Sequence, residues 1–197
     1  MTKLDPHFTL EVTQGVQLEL LSENHASELF ALINENRSYL RNWLPWVDGM
    51  RSLAQFQAFI KASNTRVASG LEISCVINDN GHLTGRAGIY NIDEEKGYAT
   101  LGYWIAGSHQ GKGVITSSCR ALIYYAFEVL QLDEIEIRCA TNNERSSAIA
   151  ERLNFCRTGI IKNGEFFNQR FIDLYVYSLS KTSWQKRPSI PKSKISA

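Results

Sequence analysis

The stretch Leu101-Gly-Tyr-Trp-Ile-Ala-Gly-Ser-His-Gln-Gly-Lys-Gly-Val-Ile-Thr116 limits the fold more than any other part of the chain. An aromatic-rich run of strand character enters a loop with glycines at 107, 111 and 113. Helix-spaced apolar residues, Ile115, Cys119, Leu122 and Ala126, begin directly after it. Strand, glycine loop and helix start in that order aim several backbone N–H groups, and the positive end of a helix dipole, at one point. That is an anion site. Glycine matters because a side chain there would hold a phosphate away from the backbone. The spacing excludes two nucleotide loops. A P-loop has four residues between its glycines and Ser or Thr after its Lys, whereas Gly107 and Gly111 bracket three and Gly113 follows Lys112. A dinucleotide-binding fingerprint would need Gly where Thr116 stands.

The remaining segments order themselves around that loop. Val16 to Leu21 reads as a strand, with Leu18 and Leu20 alternating against Gln17 and Glu19. Ser22 or Asn24 can cap a helix whose apolar face is Ala26, Leu29, Phe30 and Ile33. After a turn with Pro45 and Gly49, Ser52 and Gln55 have capping-box spacing before Phe56, Phe59 and Ile60. Leu71, Ile73, Cys75 and Ile77 alternate in a strand, Asn80-Gly81 signals a hairpin, and two more strands cover Leu83 to Ile92 and Tyr98 to Ala106. Beyond the helix that follows the loop, Ile135, Ile137 and Cys139 form another strand. A helix from Glu144 to Leu153 stops at Asn154, suited to a left-handed C-cap, and Asn163-Gly164 reads as the turn between two last strands. The predicted order is β-α-α-β-β-β-α-β-α-β-β: an α/β fold with a mixed sheet flanked by helices, in one domain over residues 1–180.

Size and charge set outer limits. A chain of 197 residues buries about 70% of its unfolded surface, enough for one core. Charge is balanced, 21 basic residues against 20 acidic, so direct nucleic-acid binding is not expected. The segment 181–197 holds five basic residues and no acid and reads as a flexible tail, which leaves a mildly acidic body suited to cationic partners. Cys75, Cys119, Cys139 and Cys156 lack Cys-x-x-Cys spacing, and three lie in apolar-patterned segments, so buried thiols are expected rather than disulfides or a metal site. There is no apolar signal core and no apolar run near the ~20 residues that span a bilayer. A soluble, cytoplasmic protein without membrane partners is the expectation.

Gln110-Gly-Lys-Gly113 at the head of a helix resembles the acetyl-CoA pyrophosphate loop, Gln/Arg-x-x-Gly-x-Gly/Ala, of the GNAT superfamily of N-acetyltransferases. Ile115 stands at the sixth motif position, as in the RimJ/RimL-type branch, which acetylates N-terminal amines of ribosomal proteins. Asn36-Arg-Ser-Tyr-Leu-Arg-Asn-Trp-Leu-Pro-Trp46 resembles that branch's substrate-side loop. Asn143-Glu-Arg-Ser146, followed by Ala-Ile-Ala-Glu-Arg-Leu-Asn-Phe155, resembles its Asn-x-x-Ser helix, with Asn154 replacing a glycine. The resemblance covers about residues 16 to 180. It implies acetyl-CoA as cosubstrate, no metal, and cofactor contacts from Tyr103, Trp104, Ile105, Gln110, Gly111, Lys112, Gly113, Val114, Ile115, Thr116, Asn143 and Ser146. Tyr103 and Trp104 alternate along a strand, so at most one side chain faces a given site.

The implied reaction carries an acetyl group to a primary amine by direct attack in a ternary complex. In the family reading the Ser146 hydroxyl protonates the departing thiolate and Asn143 contacts the pantetheine arm, although Asn143 also suits a helix cap. Tyr39, Trp43 and Trp46 are placed as acceptor-binding walls, with one tryptophan packing as a plain hydrophobe. Relatives carry a carboxylate just before the loop, but Ala106 to His109 contains none. The general base then falls to His109, to Glu136 or to ordered water. The leading acceptor is a protein N-terminus such as that of a ribosomal protein. A small amine (polyamine, antibiotic or aminoacyl-nucleotide) is the second, and a non-catalytic acyl-CoA-binding module is the third reading. The last strand or the aromatic loop offers a surface for a homodimer.

Overall fold

Turn and cap residues divide the chain into nine strands and six helices among the described residues, which in this computed structural model are 4–5, 8–167, 169–186 and 195–196. The strands are β1 (Thr9–Thr13), β2 (Val16–Leu20), β3 (Glu72–Asp79), β4 (His82–Asp93), β5 (Tyr98–Ile105), β6 (Glu134–Ala140), β7 (Cys156–Phe167), β8 (Arg170–Ser180) and β9 (Ile195–Ser196). They form one sheet in the order β7-β8-β6-β5-β4-β3-β2-β1-β9. Its ladders are antiparallel except that of β5 with β6, so the sheet is mixed as expected. The helices are α1 (Ala26–Glu35), α2 (Arg37–Leu40), α3 (Leu53–Ala68), α4 (Val114–Glu128), α5 (Glu144–Arg152) and α6 (Lys181–Gln185).

Local signals act as written in the sequence. Ser52 accepts from the Gln55 N–H while Gln55 reaches back to the Ser52 N–H, closing the capping box that starts α3. Asn80 and Gly81 both take positive φ, +53° and +87°, in the tight turn between β3 and β4. Asn154, at φ +61°, ends α5 in the left-handed conformation. Amphipathic helices then cover both faces of the central strands. Leu29, Ile33, Phe56 and Ile60 of α1 and α3 pack on Val76 and Trp104, whereas Cys119, Leu122 and Ala126 of α4 pack on the opposite face with Leu18, Cys75, Ala87 and Leu101. Covering both faces explains why β3 is buried at consecutive rather than alternate positions. Polar residues on the α3 side are paired: Ser63 and Arg66 hold Glu72, and Arg86 donates to Ser74 while lying over the Phe59 ring.

Four features differ from the sequence reading. β1 precedes the first expected strand, and the one-turn α2 interrupts the Asn36–Trp46 loop. Asn163-Gly164 is not a hairpin turn. β7 runs through it, with Ile161 opposite Leu174 and Glu165 opposite Ile172, so the pair is a bulge of two extra residues. It is pinned by Asp173, which accepts from the Asn163 N–H at 2.9 Å and from Lys162 at 2.7 Å. The chain reverses later, between Phe167 and Arg170. Finally, the supposed tail begins as α6, capped by Ser180, and β9 pairs with β1. The rest of the tail, 187–194 and 197, lies outside the described residues.

Trp184 makes α6 part of the domain, packing against Phe127 with ring centroids 6.2 Å apart and 8% exposure. Replacing a buried tryptophan with alanine leaves a cavity and removes a large apolar contact. Trp184→Ala should therefore destabilise the fold by about 3 kcal/mol, measured by urea unfolding. An unchanged midpoint would mean α6 is only loosely attached.

Candidate active site

β5 is laddered to β4 as far as Ile105, opposite Gly85, but to β6 only from Tyr98 to Thr100. Beyond Thr100 the two parallel strands part. The β6-facing edge of β5 from Leu101 to Ile105 has no strand partner among the described residues, and backbone groups without partners there demand some other complement. The parting opens a cleft of about 1080 Å³ lined by Leu101–Ile105 on one arm and Ile137–Ala140 on the other. That exceeds the ~300–1,000 Å³ usual for drug-sized ligands.

The glycine loop also lines the cleft. After a 3-10 turn at Gly107–His109, Gly111 and Gly113 take φ of +76° and +79°. A Cβ built on either meets nothing within 4 Å, so the backbone's left-handed conformation requires glycine here, not crowding. Gly113 is the N-cap of α4 and supplies no capping side chain, which leaves the first N–H groups of the helix for an anion. Val114, Ile115 and Thr116 all line the cleft. These residues fit the diphosphate of a CoA molecule.

Residues 36–50 form the other wall and are tied to the loop. The Gly107 N–H donates to Asn36 Oδ1 at 2.8 Å, and the Tyr39 hydroxyl donates to the Ile105 carbonyl at 3.2 Å. Arg37 holds the segment in shape by donating to the carbonyls of Val47 and Met50. Tyr39, Trp43 and Trp46 line the cleft. Trp46 also packs on Trp104, and Trp43 on Ala140, Ile172 and Leu174, so each tryptophan is both wall and packing residue.

α5 brings Ser146 over the parted strands. Asn143 caps the helix, its Oδ1 accepting from the Ser146 N–H at 3.2 Å. The Ser146 hydroxyl lies 3.0 Å from the Tyr103 hydroxyl. Burial pushes the Tyr103 phenol well above its usual range, so it stays a proton donor. Trp104 faces the other way and is buried in the α1/α3 layer.

Two of the expected residues lie outside the cleft. Lys112 is exposed beside it. Glu136 is paired with Arg138 on the same strand and does not line it. His109 does line it, with Nδ1 3.0 Å from the Ser108 hydroxyl. Sequence reasoning missed Glu165, a half-buried carboxylate on the cleft wall next to the Trp43 cluster. Burial holds its carboxyl above the ordinary Glu range. It was hidden by the reading of Asn163-Gly164 as a turn. The bulge puts Glu165, not Asn163, opposite Ile172 on the cleft face, as bulges beside active sites commonly do.

Residues 16–156 match the family model described as an acetyltransferase (GNAT) domain. The chain is 35% identical over 179 residues to the Bacillus subtilis (strain 168) protein named "Putative ribosomal N-acetyltransferase YdaF", covering 90% of this chain and 98% of that one. It is 28% identical over 170 residues to the ribosomal-protein-serine acetyltransferase of Escherichia coli (strain K12), covering 86% and 95%. Among solved structures, the fold matches RimL, a ribosomal-protein α-N-acetyltransferase in complex with coenzyme A. The TM-score is 0.85 at 24% identity, over 89% of this chain and 99% of that one. The chain belongs to the GNAT acetyltransferase family and is an acetyl-CoA-dependent N-acetyltransferase.

Proposed function

We propose that the chain acetylates the α-amino group of a protein N-terminus, with a ribosomal protein as the leading class of acceptor, in the cytoplasm. The observation that carries this reading is one cleft lined both by the glycine loop and by Glu165 with the aromatic residues Tyr39, Trp43 and Trp46. An amine arrives as an ammonium ion, and a half-buried carboxylate both attracts it and takes its proton. The names of the relatives, ribosomal N-acetyltransferase and ribosomal-protein-serine acetyltransferase, support the acceptor class.

Each step has a residue. Glu165 accepts the ammonium proton, its raised pKa bringing it closer to that of an amine. Unpartnered N–H groups on the free edge of β5 stabilise the negative charge that builds on the thioester oxygen during attack. Ser146 passes a proton to the departing CoA sulfur and recovers one from the nitrogen that has attacked, which loses its second proton at this stage, while the Tyr103 hydroxyl, kept protonated by burial, holds Ser146 in place. The aromatic walls hold the acceptor so that attack is direct, without a covalent enzyme intermediate.

Thiol release from acetyl-CoA, with a peptide bearing a free N-terminal serine compared with spermidine, tests the acceptor. Release is expected with the peptide and should vanish when its α-amine is blocked; release with spermidine alone would overturn the reading. Ser146→Ala should lower kcat about 10²-fold with little change in acetyl-CoA Kd by calorimetry, and unchanged turnover would remove its role. Glu165→Gln should lower kcat/KM by about 10²–10⁴-fold and abolish the acid limb that this carboxylate contributes to the pH profile. The same variant should unfold at higher temperature at neutral pH. A carboxyl whose folded pKa is raised is charged there at a cost to the fold, and that cost disappears once pH falls below its unfolded value.

A further inference from the structure

We propose that Arg145 and Arg152, on one face of α5, are the cationic contacts for the phosphates of the CoA cosubstrate. The inference rests on the acetyl-CoA reading of the cleft and assigns residues that the glycine-loop motif does not include. They lie seven positions apart, two helical turns or about 10 Å along the axis, so both project to the same side. Both line the cleft. Each reaches across to the glycine-loop side: Arg145 donates to the Gln110 side chain, and Arg152 donates to Thr116 Oγ1 at 3.1 Å.

Arg145 lies in the first turn of α5, a helix end where a cation is disfavoured, whereas Arg152, in the last turn of α5, is bound to a first-turn residue of α4. Their sequence neighbours Glu144 and Glu151 do not neutralise them. Among the described residues neither arginine makes an ion pair, and Glu151 instead accepts from the Tyr177 hydroxyl at 3.4 Å. The other arginine in the cleft, Arg138, is paired with Glu136. Two unneutralised guanidinium groups beside an uncapped helix N-terminus therefore concentrate positive charge at the loop, while Glu165 is the carboxylate of the cleft lining. CoA matches this distribution: a diphosphate and a separate ribose phosphate, on a ligand whose thiol end is uncharged. Guanidinium forks bind phosphate oxygens through paired, charge-assisted hydrogen bonds. The bonds to Gln110 and Thr116 use one nitrogen of each guanidinium and leave the others for the ligand.

The test is calorimetric binding of coenzyme A and of pantetheine, which keeps the thiol arm and lacks every phosphate, to the full chain and to Arg145→Met, Arg152→Met and the double variant. Loss of one charged hydrogen-bonding partner corresponds to about tenfold in Kd or more. Each single variant should weaken CoA about tenfold, and the double variant should lose most of the salt dependence of CoA binding. Pantetheine affinity and thermal stability should stay unchanged, because both side chains are exposed. Unaltered CoA affinity in the double variant would overturn the assignment and leave the acetyltransferase reading intact. Equal weakening of CoA and pantetheine would also overturn it, marking the arginines as structural props. Failure of the unsubstituted chain to bind CoA would instead overturn the reading on which the inference stands.

Discussion

The parting of β5 from β6 after Thr100 is the constraint on which the rest of the site depends. Each strand is held on its outer side. β6 is laddered to β8 along its whole length, from Glu134 to Ala140. β5 is laddered to β4, where Gly85 lets the backbones approach: a Cβ there would collide with the Trp104 carbonyl. Only the edges the two strands turn to each other are forfeited. Those edges carry polar backbone groups into a cleft roofed by α5, and the amide-bearing arm of CoA is a ligand that can satisfy them. Ser146, its Tyr103 partner and the α4 N-terminus then converge on the opening because α5 follows β6 and α4 follows β5.

Two kinds of charge line the cleft. The glycine loop, the dipole of α4 and two arginines suit phosphate, whereas Glu165, the carboxylate of the lining, suits an ammonium group. Tyr39 ties residues 36–50 to the loop. Its hydroxyl meets the Ile105 carbonyl and the Gln110 side chain, and burial raises its pKa, with Gln110 and Arg145 partly opposing that rise. Residues 36–50 and the glycine loop are therefore one hydrogen-bonded unit.

Much of this was legible in the sequence because it depends on local chemistry. The capping box at Ser52, the Asn80-Gly81 turn and the Asn154 cap are short-range signals with a single good solution. Three of the four cysteines are buried, as their apolar context implied, and Cys156 is exposed. What stayed hidden depends on tertiary pairing. Asn163-Gly164 has the same dipeptide as a hairpin, and only pairing with Asp173 and Leu174 makes it a bulge. Glu165, shifted onto the cleft by that bulge, was invisible to a search for a carboxylate just before the loop. The basic composition after Lys181 concealed Trp184, whose burial against Phe127 outweighs the polar residues around it. Glu136 shows the converse: its alternation on a strand beside the site suggested a base, but Arg138 occupies it.

The central claim is that one cleft holds the cofactor's sulfur beside Ser146 and the acceptor's nitrogen beside Glu165. A crystal structure with a bisubstrate ligand, CoA joined through an acetyl link to the N-terminal nitrogen of a serine peptide, tests it most directly. The account predicts the sulfur within hydrogen-bond reach of the Ser146 hydroxyl, the peptide nitrogen facing the Glu165 carboxylate, and the peptide leaving between Tyr39, Trp43 and Trp46. A peptide leaving by another route, with Glu165 remote from the nitrogen, would contradict it.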